Sequence, residues 1–526
     1  MFNISPRVIF PRGDRKISKY MKRIAKGDLL RRIKLNRKRL SSKMYCYPGV
    51  FERNTSWPGD WDGRCILALT SLYFSLNGHS KEQESVKKQL DDIMIHLKDH
   101  VNSEGYFGEI LNGSYVNEQQ ISGNSWYLRG LIEYYQITKD ETFLTLIKDA
   151  VHNLIFKISH YYLNYPLANR EIGGVDGHIE GKITNGWLTS SDVGCAFIML
   201  DAMSEAYYLL HDEKLKKIVS ETIDIFVNID FVSLQCQTHA TLSCARGILT
   251  YYRATKENKY LSYAKEIFEK YIALGMTKDY SNINWFNRPD TWTEPCCIVD
   301  SFILAGQLFE ITKEKKYLRL LNRIYLNSFR MAQRSNGGAG CNTCLFDQNN
   351  EVHGYLYEAF FCCTMRFAEG LRFAKKYASY KNKDGILISI LMDQEIELDN
   401  GTDITIKGDI YQKGKVHISF QNVKEKTPVV IYIPKSVSFE LKEQPFDYED
   451  ELLSLSIDED TEITLSFDLK IHREDELRFV GDMLLARRDT YLDKRVFQDD
   501  GRFYYYLIDY SRVKGKKDCL EIKQKI

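Results

Sequence analysis

The chain has 526 residues, more than one compact hydrophobic core supports, so at least two domains are expected. Lysine and arginine total 72 against 71 acidic residues, a formal net charge of +1, which gives the chain as a whole no bias toward nucleic acid or another polyanion. No apolar run reaches the roughly 18–20 residues of a membrane span, and the basic N-terminus lacks the apolar stretch of a secretory signal. The setting expected from this is cytoplasmic, with no membrane partner. The 12 cysteines then read as reduced thiols, buried small residues or metal ligands rather than as a disulfide framework.

Residues 1–44 form a basic segment. Ile17, Met21, Ile24, Leu29, Leu30 and Ile33 recur there among Lys and Arg, which predicts an amphipathic helix from about Arg15 to Leu40; a polyanion-binding arm is the rival reading. From 45 to 382 the apolar pattern is helical. Long apolar stretches cover about 64–76, 124–137, 193–210, 239–254 and 297–311. A polar turn ends each of them: Leu76-Asn77-Gly78, Ile137-Thr138-Lys139-Asp140, Leu210-His211-Asp212, Ala254-Thr255-Lys256-Glu257 and Ile311-Thr312-Lys313-Glu314. An amphipathic stretch follows each turn. A sixth apolar stretch, about 363–378, has no partner after it.

Six apolar helices with amphipathic partners are what an (α/α)6 toroid requires, with the basic N-terminal helix as the last outer member. After Asn382 the period changes to strict alternation, as in Ile404-Thr405-Ile406, Val416-His417-Ile418-Ser419-Phe420 and Ile463-Thr464-Leu465-Ser466-Phe467, which predicts an antiparallel β-sandwich over 383–526. The fold class is therefore a mainly α toroid with a C-terminal β domain. That β domain is also a candidate surface for a homodimer.

Parallel inner helices place all their N-termini on one face, where partial positive charge lowers thiol pKa and favours anions. Polar and unusual residues gather just before these starts: Trp57 to Arg64, Asn117 to Gln120, Ser190-Ser191-Asp192, Gln237-Thr238-His239, Trp292-Thr293-Glu294 and Phe361-Cys362-Cys363. One central cleft is expected. At the mouths of the fifth and sixth inner helices stand Glu294, Cys296, Cys362 and Cys363, three thiols and a carboxylate in reach of one tetrahedral zinc ion, or else simply buried cysteines. Cys341 and Cys344 form a Cys-x-x-Cys in a glycine-rich loop, a competing pair. Trp57, Trp126, Trp187, Trp285 and Trp292 are candidate sugar-stacking platforms, with Trp57 and Trp292 the two expected to line the cleft. Asp60 and Arg64 are expected to pair structurally.

The stretch Trp57-Pro58-Gly59-Asp60-Trp61-Asp62-Gly63-Arg64, with Thr293-Glu294-Pro295-Cys296 and the Cys362-Cys363 opening of the last inner helix, resembles glycoside hydrolase family 127, the β-L-arabinofuranosidase-like group. The resemblance spans about residues 45–380 and is carried most specifically by Glu-x-Cys plus Cys-Cys. It implies a zinc ion held by Glu294, Cys296, Cys362 and Cys363, with Cys362 as the nucleophile of a retaining hydrolysis. It implies a sugar-binding role for His239, and it puts Asn124 where the family has a second histidine. The family's general acid/base is a glutamate some sixteen residues before the ligand glutamate; here the segment reads Met276-Thr277-Lys278-Asp279-Tyr280-Ser281, with Asp279 the nearest carboxylate. Glu358 and Asp192 are the other acids considered.

The resemblance implies a carbohydrate substrate, a small sugar or a non-reducing glycan end. Three other readings share the ring: a uronyl hydrolase or lyase, a non-catalytic glycan-binding or scaffold protein with a structural zinc, and a lanthionine-cyclase-type enzyme. The last needs a Cys-His-Gly motif that the chain lacks.

Overall fold

The structure is a computed structural model. It describes residues 21–53, 56–168, 170, 177–342, 351–353, 358–382, 385–486, 496–507, 509–512 and 523–525. Twelve longer helices carry the first part: α1 Gly27–Arg39, α2 Asp60–Ser75, α3 Ser80–His96, α4 Glu118–Thr138, α5 Glu141–Asp149, α6 Met199–Leu210, α7 Glu213–Phe226, α8 Thr238–Thr255, α9 Asn258–Leu274, α10 Pro295–Thr312, α11 Lys315–Ile324 and α12 Cys363–Tyr377. Among them α2, α4, α6, α8, α10 and α12 pack each on the next, and α12 packs back on α2, so the ring closes. The intervening helices lie outside, each burying one stripe. This is the α/α toroid.

The repeated turns have a local cause. Lys139, His211, Lys256 and Lys313 sit in the left-handed region, with φ of 57°, 54°, 64° and 60°. Each backbone N–H returns to the carbonyl four residues earlier and so closes the inner helix. The acid that follows opens the outer helix: Asp140 Oδ1 accepts from Thr142 N at 2.8 Å, and Asp212 Oδ1 accepts from Leu215 N at 2.8 Å. Each turn thus ends one helix and begins another within two residues.

Helix α10 is by length and composition the one described helix apolar enough to cross a membrane, and 83% of that window is buried. Its apolarity reflects its place: an inner helix is covered on all sides.

The basic N-terminal segment divides where one continuous helix was expected. Met21–Ala25 is a strand, paired antiparallel with Gln394–Leu398 of the β region. Helix α1 begins only at Gly27, whose φ is +48° and where a Cβ would strike the Asp393 carboxylate. The close approach of Asp393 and the positive φ turn the chain there. Helix α1 then packs on α12. Asn36 Nδ2 donates to Gly337 O and Thr364 O at 3.0 and 3.1 Å, and Arg39 pairs with Glu358 at 2.7 Å. Residues 15–20 of that expected helix lie outside the described residues.

After α12 the chain forms β-sheets. A six-stranded sheet includes Asp403–Asp409, Lys415–Gln421 and Thr461–Asp468, and a five-stranded sheet includes Gly385–Ile388, Thr427–Tyr432 and Leu452–Ile457. Their inward residues, Ile404, Ile406, Val416, Ile418 and Leu465 from one and Ile386, Ile388, Val429, Ile431 and Leu453 from the other, share one apolar core. Thr427–Tyr432 runs parallel to Gly385–Ile388, a departure from the wholly antiparallel expectation. Alternation reports which face is buried, not strand direction. A third, five-stranded sheet is built largely from Ile471–Tyr506.

Candidate metal centre and cavity

Glu294 is the N-cap residue of α10, with Pro295 following at the first helical position and Cys296 after it. Cys362 caps α12 and Cys363 is its first residue. Because α10 and α12 are neighbours in the ring, the four side chains meet, and their potential ligand atoms all lie within 4.8 Å of one another. Cys296 Sγ and Cys363 Sγ are 3.4 Å apart, and Cys362 Sγ and Cys363 Sγ 3.3 Å.

Three sulfurs at about 2.3 Å from a tetrahedral ion stand about 3.8 Å from one another, so a small outward shift suffices to admit zinc. Glu294 Oε2 is buried without a hydrogen-bond partner, as a ligand atom awaiting a cation would be. The donor set therefore fits.

The electrostatics point the same way. Burial pushes Cys296 up to about 11 and Cys363 well above an ordinary thiol. Hydrogen bonds from the Cys296 and Cys363 thiols draw Cys362 down to about 6, assisted by Arg64. Burial, then the neighbouring Cys296 and Asp192, hold the Glu294 carboxyl well above its usual range. One thiolate, on Cys362, is favourable by itself; releasing all four protons needs a cation in their midst. Arg64 Nη1 lies 3.6 Å from Cys296 Sγ, and its Nε donates to Asp60 Oδ1 at 2.7 Å, the expected ion pair.

The cluster forms part of the wall of a cavity of about 360 Å³. Trp57 and Trp292 line it, as expected, and so does Trp285, a third of the candidate platforms. Trp285 and Trp292 meet edge to face at 5.8 Å, and Trp285 Nε1 donates to Asp192 Oδ1 at 3.2 Å. Asp192 and His239 both line the cavity. Phe361, 53% exposed, borders it beside Cys362. Cys341 also lines it, while Cys344 lies outside the described residues. Trp126 and Trp187 are fully buried packing residues.

Three expected site residues are elsewhere. Asn124 is taken up by backbone: its Oδ1 accepts from Phe107 N at 2.9 Å, and its Nδ2 donates to Gln120 O and Phe107 O at 2.9 and 3.0 Å. It fastens a loop to α4 rather than facing the cavity. Glu358 turns to α1, where it accepts from Arg39, and it also accepts from Asn336 and Thr364. Asp279 is 1% exposed and folds back on its own turn, accepting from Thr277 Oγ1, from Ser281 N at 3.4 Å and from Ser281 Oγ at 3.1 Å. Burial raises its carboxyl, and it is not among the cavity-lining residues. The short side chain of an aspartate satisfies the turn and does not reach out of it.

Sequence reasoning missed Asn284 and Ser122, both cavity-lining, and Asp300, which lies behind His239. Asp300 carried a signal, a charged residue inside the most apolar helix; the others carried none beyond their nearness to helix starts.

No family model and no curated protein matches the sequence. Solved structures do match. A β-arabinofuranosidase of glycoside hydrolase family 127 superposes with a TM-score of 0.65 at 12% identity, over 97% of this chain and 96% of its own. A glycoside hydrolase gives a TM-score of 0.62 at 11% identity, over 89% of this chain and 82% of its own. A family 127 β-L-arabinofuranosidase from Geobacillus stearothermophilus T6 gives 0.59 at 11% identity, over 86% and 80%. Helical ring and β region together, the chain has the fold of glycoside hydrolase family 127 enzymes, at a great distance in sequence.

Proposed function

We propose that this protein is a zinc-dependent retaining glycoside hydrolase in which Cys362 is the nucleophile, acting on a small sugar or a non-reducing glycan end of the L-arabinofuranoside class. The observation that carries this reading is the convergence of Glu294, Cys296, Cys362 and Cys363 within 4.8 Å, at a cavity wall, in a ring whose fold is that of family 127. Zinc, when bound, supplies the positive charge that keeps these thiols deprotonated at neutral pH.

The protein's own groups do the rest. The Cys362 thiolate attacks the anomeric carbon, the C–S bond forming as the glycosidic C–O bond breaks. The departing oxygen takes a proton from an acid. Of the described cavity carboxylates, Asp60 is paired with Arg64 and Glu294 belongs to the cluster, which leaves Asp192 for this role. Water, giving its proton to the same carboxylate, then attacks the anomeric carbon; the C–S bond breaks and the thiolate returns. The indoles of Trp57, Trp285 and Trp292 offer apolar faces for the sugar.

A second reading is a protein that binds glycan around a structural zinc without cleaving it. It is favoured by one observation, the withdrawal of Asp279 from the cavity where the sequence offers no glutamate. A single experiment separates the two. The zinc-loaded protein is assayed on a panel of nitrophenyl furanosides and pyranosides beside Cys362→Ala. Turnover that Cys362→Ala abolishes, with the circular dichroism spectrum unchanged, supports the hydrolase. Binding without turnover supports the second reading, and turnover that survives Cys362→Ala removes Cys362 from the chemistry.

A further inference from the structure

Outside the Glu294–cysteine cluster, the cavity wall carries, besides the Ser122 hydroxyl, two buried polar atoms with no hydrogen-bond partner: His239 Nε2 and Asn284 Oδ1. Their residues are 2% and 4% exposed. They are neighbours, because Thr238 N and Oγ1 donate to Asn284 O at 2.9 and 3.1 Å, which ties the start of α8 to the loop that carries Asn284. An unpaired buried polar atom is costly unless a ligand satisfies it.

The polarity of His239 is set from behind. Its Nδ1 lies 2.7 Å from Asp300 Oδ2. Asp300 also accepts from Arg246 Nη1 at 2.6 Å, Arg366 Nη2 at 2.5 Å and Ser243 Oγ at 3.0 Å. Burial opposes its ionisation, but Arg366, His239 and Arg246 together hold its carboxyl well below the usual range. An ionised carboxylate only accepts, so the imidazole donates through Nδ1–H, and the lone pair of the neutral ring lies on Nε2. Trp126 stacks on the ring with centroids 5.6 Å apart and planes 13° from parallel, which fixes its tilt.

We propose that Asp300 is a positioning residue that locks His239 as an acceptor, and that His239 Nε2 and Asn284 Oδ1 together receive two hydroxyl protons from a neutral sugar. The inference rests on the carbohydrate reading above and narrows it. A ring offering hydroxyl donors satisfies both atoms. A carboxylate held against these two atoms would meet two acceptors, and of the cavity's charged side chains Asp60, Asp192 and Glu294 are acidic while the one arginine, Arg64, is already paired with Asp60, so a uronate is disfavoured at this pair.

The test is long-range 1H–15N spectroscopy of the zinc-loaded protein labelled with 15N-histidine at pH 8, His239 being assigned by its loss in His239→Gln. The expected result is a protonated Nδ1 and a bare Nε2 whose signal moves on adding L-arabinose and stays still on adding D-galacturonate. A protonated Nε2 in the resting protein, no movement with L-arabinose, or movement with galacturonate overturns the proposal. Asp300→Asn is expected to reverse the tautomer and raise KM about tenfold, the loss of one hydrogen bond's worth of binding, with kcat little changed. A folded Asp300→Asn whose tautomer is unchanged also overturns it; if that variant does not fold, the wild-type spectra decide. The tautomer is read without turnover. An inactive protein with a bare Nε2 therefore sinks the hydrolase alone, and an active one with a protonated Nε2 sinks this inference alone.

Discussion

Arg64 bridges the Glu294–cysteine cluster and a carboxylate: Nη1 lies 3.6 Å from Cys296 Sγ while Nε holds Asp60 Oδ1 at 2.7 Å. Its guanidinium also lies 3.9 Å above the Trp126 ring, and the residue is 5% exposed. Three thiolates and a carboxylate around a divalent ion would leave two negative charges in excess, and Arg64 is a cation beside them. Arg64→Met is expected to weaken zinc binding about 10-fold or more, the range typical of groups that support metal ligands, as read by competition with a chromogenic chelator. Arg64→Lys keeps the charge without the fork and is expected to fall between. Unchanged affinity in Arg64→Met would show that the arginine serves Asp60 alone.

The two candidate acids separate cleanly. Asp192 lines the cavity and Asp279 does not. Asp192→Asn is expected to reduce kcat by roughly 10²–10⁴, the usual range for a lost proton-transfer group. Asp279→Asn is expected to leave kcat within a few-fold while lowering the melting temperature, because it loses a carboxylate that accepts three hydrogen bonds. The opposite ranking of the two kcat values would return the acid role to Asp279.

The sequence made the ring legible because inner helices are apolar all round and because each Thr-Lys-acid turn combines a left-handed C-terminal residue with an acidic helix start. The convergence of Glu294, Cys296, Cys362 and Cys363 was legible for a similar reason: Glu294-x-Cys296 and Cys362-Cys363 both stand at helix mouths, and ring topology makes those helices neighbours. What failed was side-chain direction. Asn124 and Glu358 lie near helix starts, yet the Phe107 backbone holds the one and Arg39 of α1 the other away from the cavity. Met21–Ala25 escaped notice because five residues flanked by Lys and Arg satisfy a helical period as readily as a short strand. Asp300 shows the reverse case. A lone acid in an apolar helix demands buried partners, and Arg246, Arg366 and His239 supply them from α8 and α12.

The β region is fastened to the ring through Asp482. Its carboxylate accepts from Arg323 Nε at 2.9 Å and Tyr432 OH at 2.8 Å, and its backbone carbonyl accepts from Asn327 Nδ2 at 2.8 Å. Asp482→Ala removes the carboxylate, which is 1% exposed in this setting, and leaves Arg323 with Glu474 as its remaining carboxylate partner. The expected loss is about 3 kcal/mol or somewhat more, seen as a lower urea midpoint. Asp482→Asn, which keeps the shape, is expected to lose less.

Asp62, in the first turn of α2, is pushed up to about 7 by burial. In the unfolded chain it titrates near 4. Between about pH 4 and pH 7 the folded protein therefore binds more protons at this site, and its contribution to stability falls as pH rises through that window. Asp62→Asn removes the penalty of a buried charge. It is expected to leave the melting temperature unchanged at pH 4 and raise it at pH 8, each tenfold difference in proton affinity between the folded and unfolded chain being worth about 1.4 kcal/mol. A variant equally stabilised or destabilised at both pH values would contradict the assignment.

The account stands on one ion shared by Glu294, Cys296, Cys362 and Cys363, and zinc K-edge X-ray absorption on the purified protein tests it most directly. The result expected is one zinc per chain with three sulfur scatterers at about 2.3 Å and one oxygen at about 2.0–2.2 Å, reduced to two sulfurs in Cys296→Ser. A protein that binds no zinc under reducing conditions, or a shell of nitrogen and oxygen alone, would contradict it.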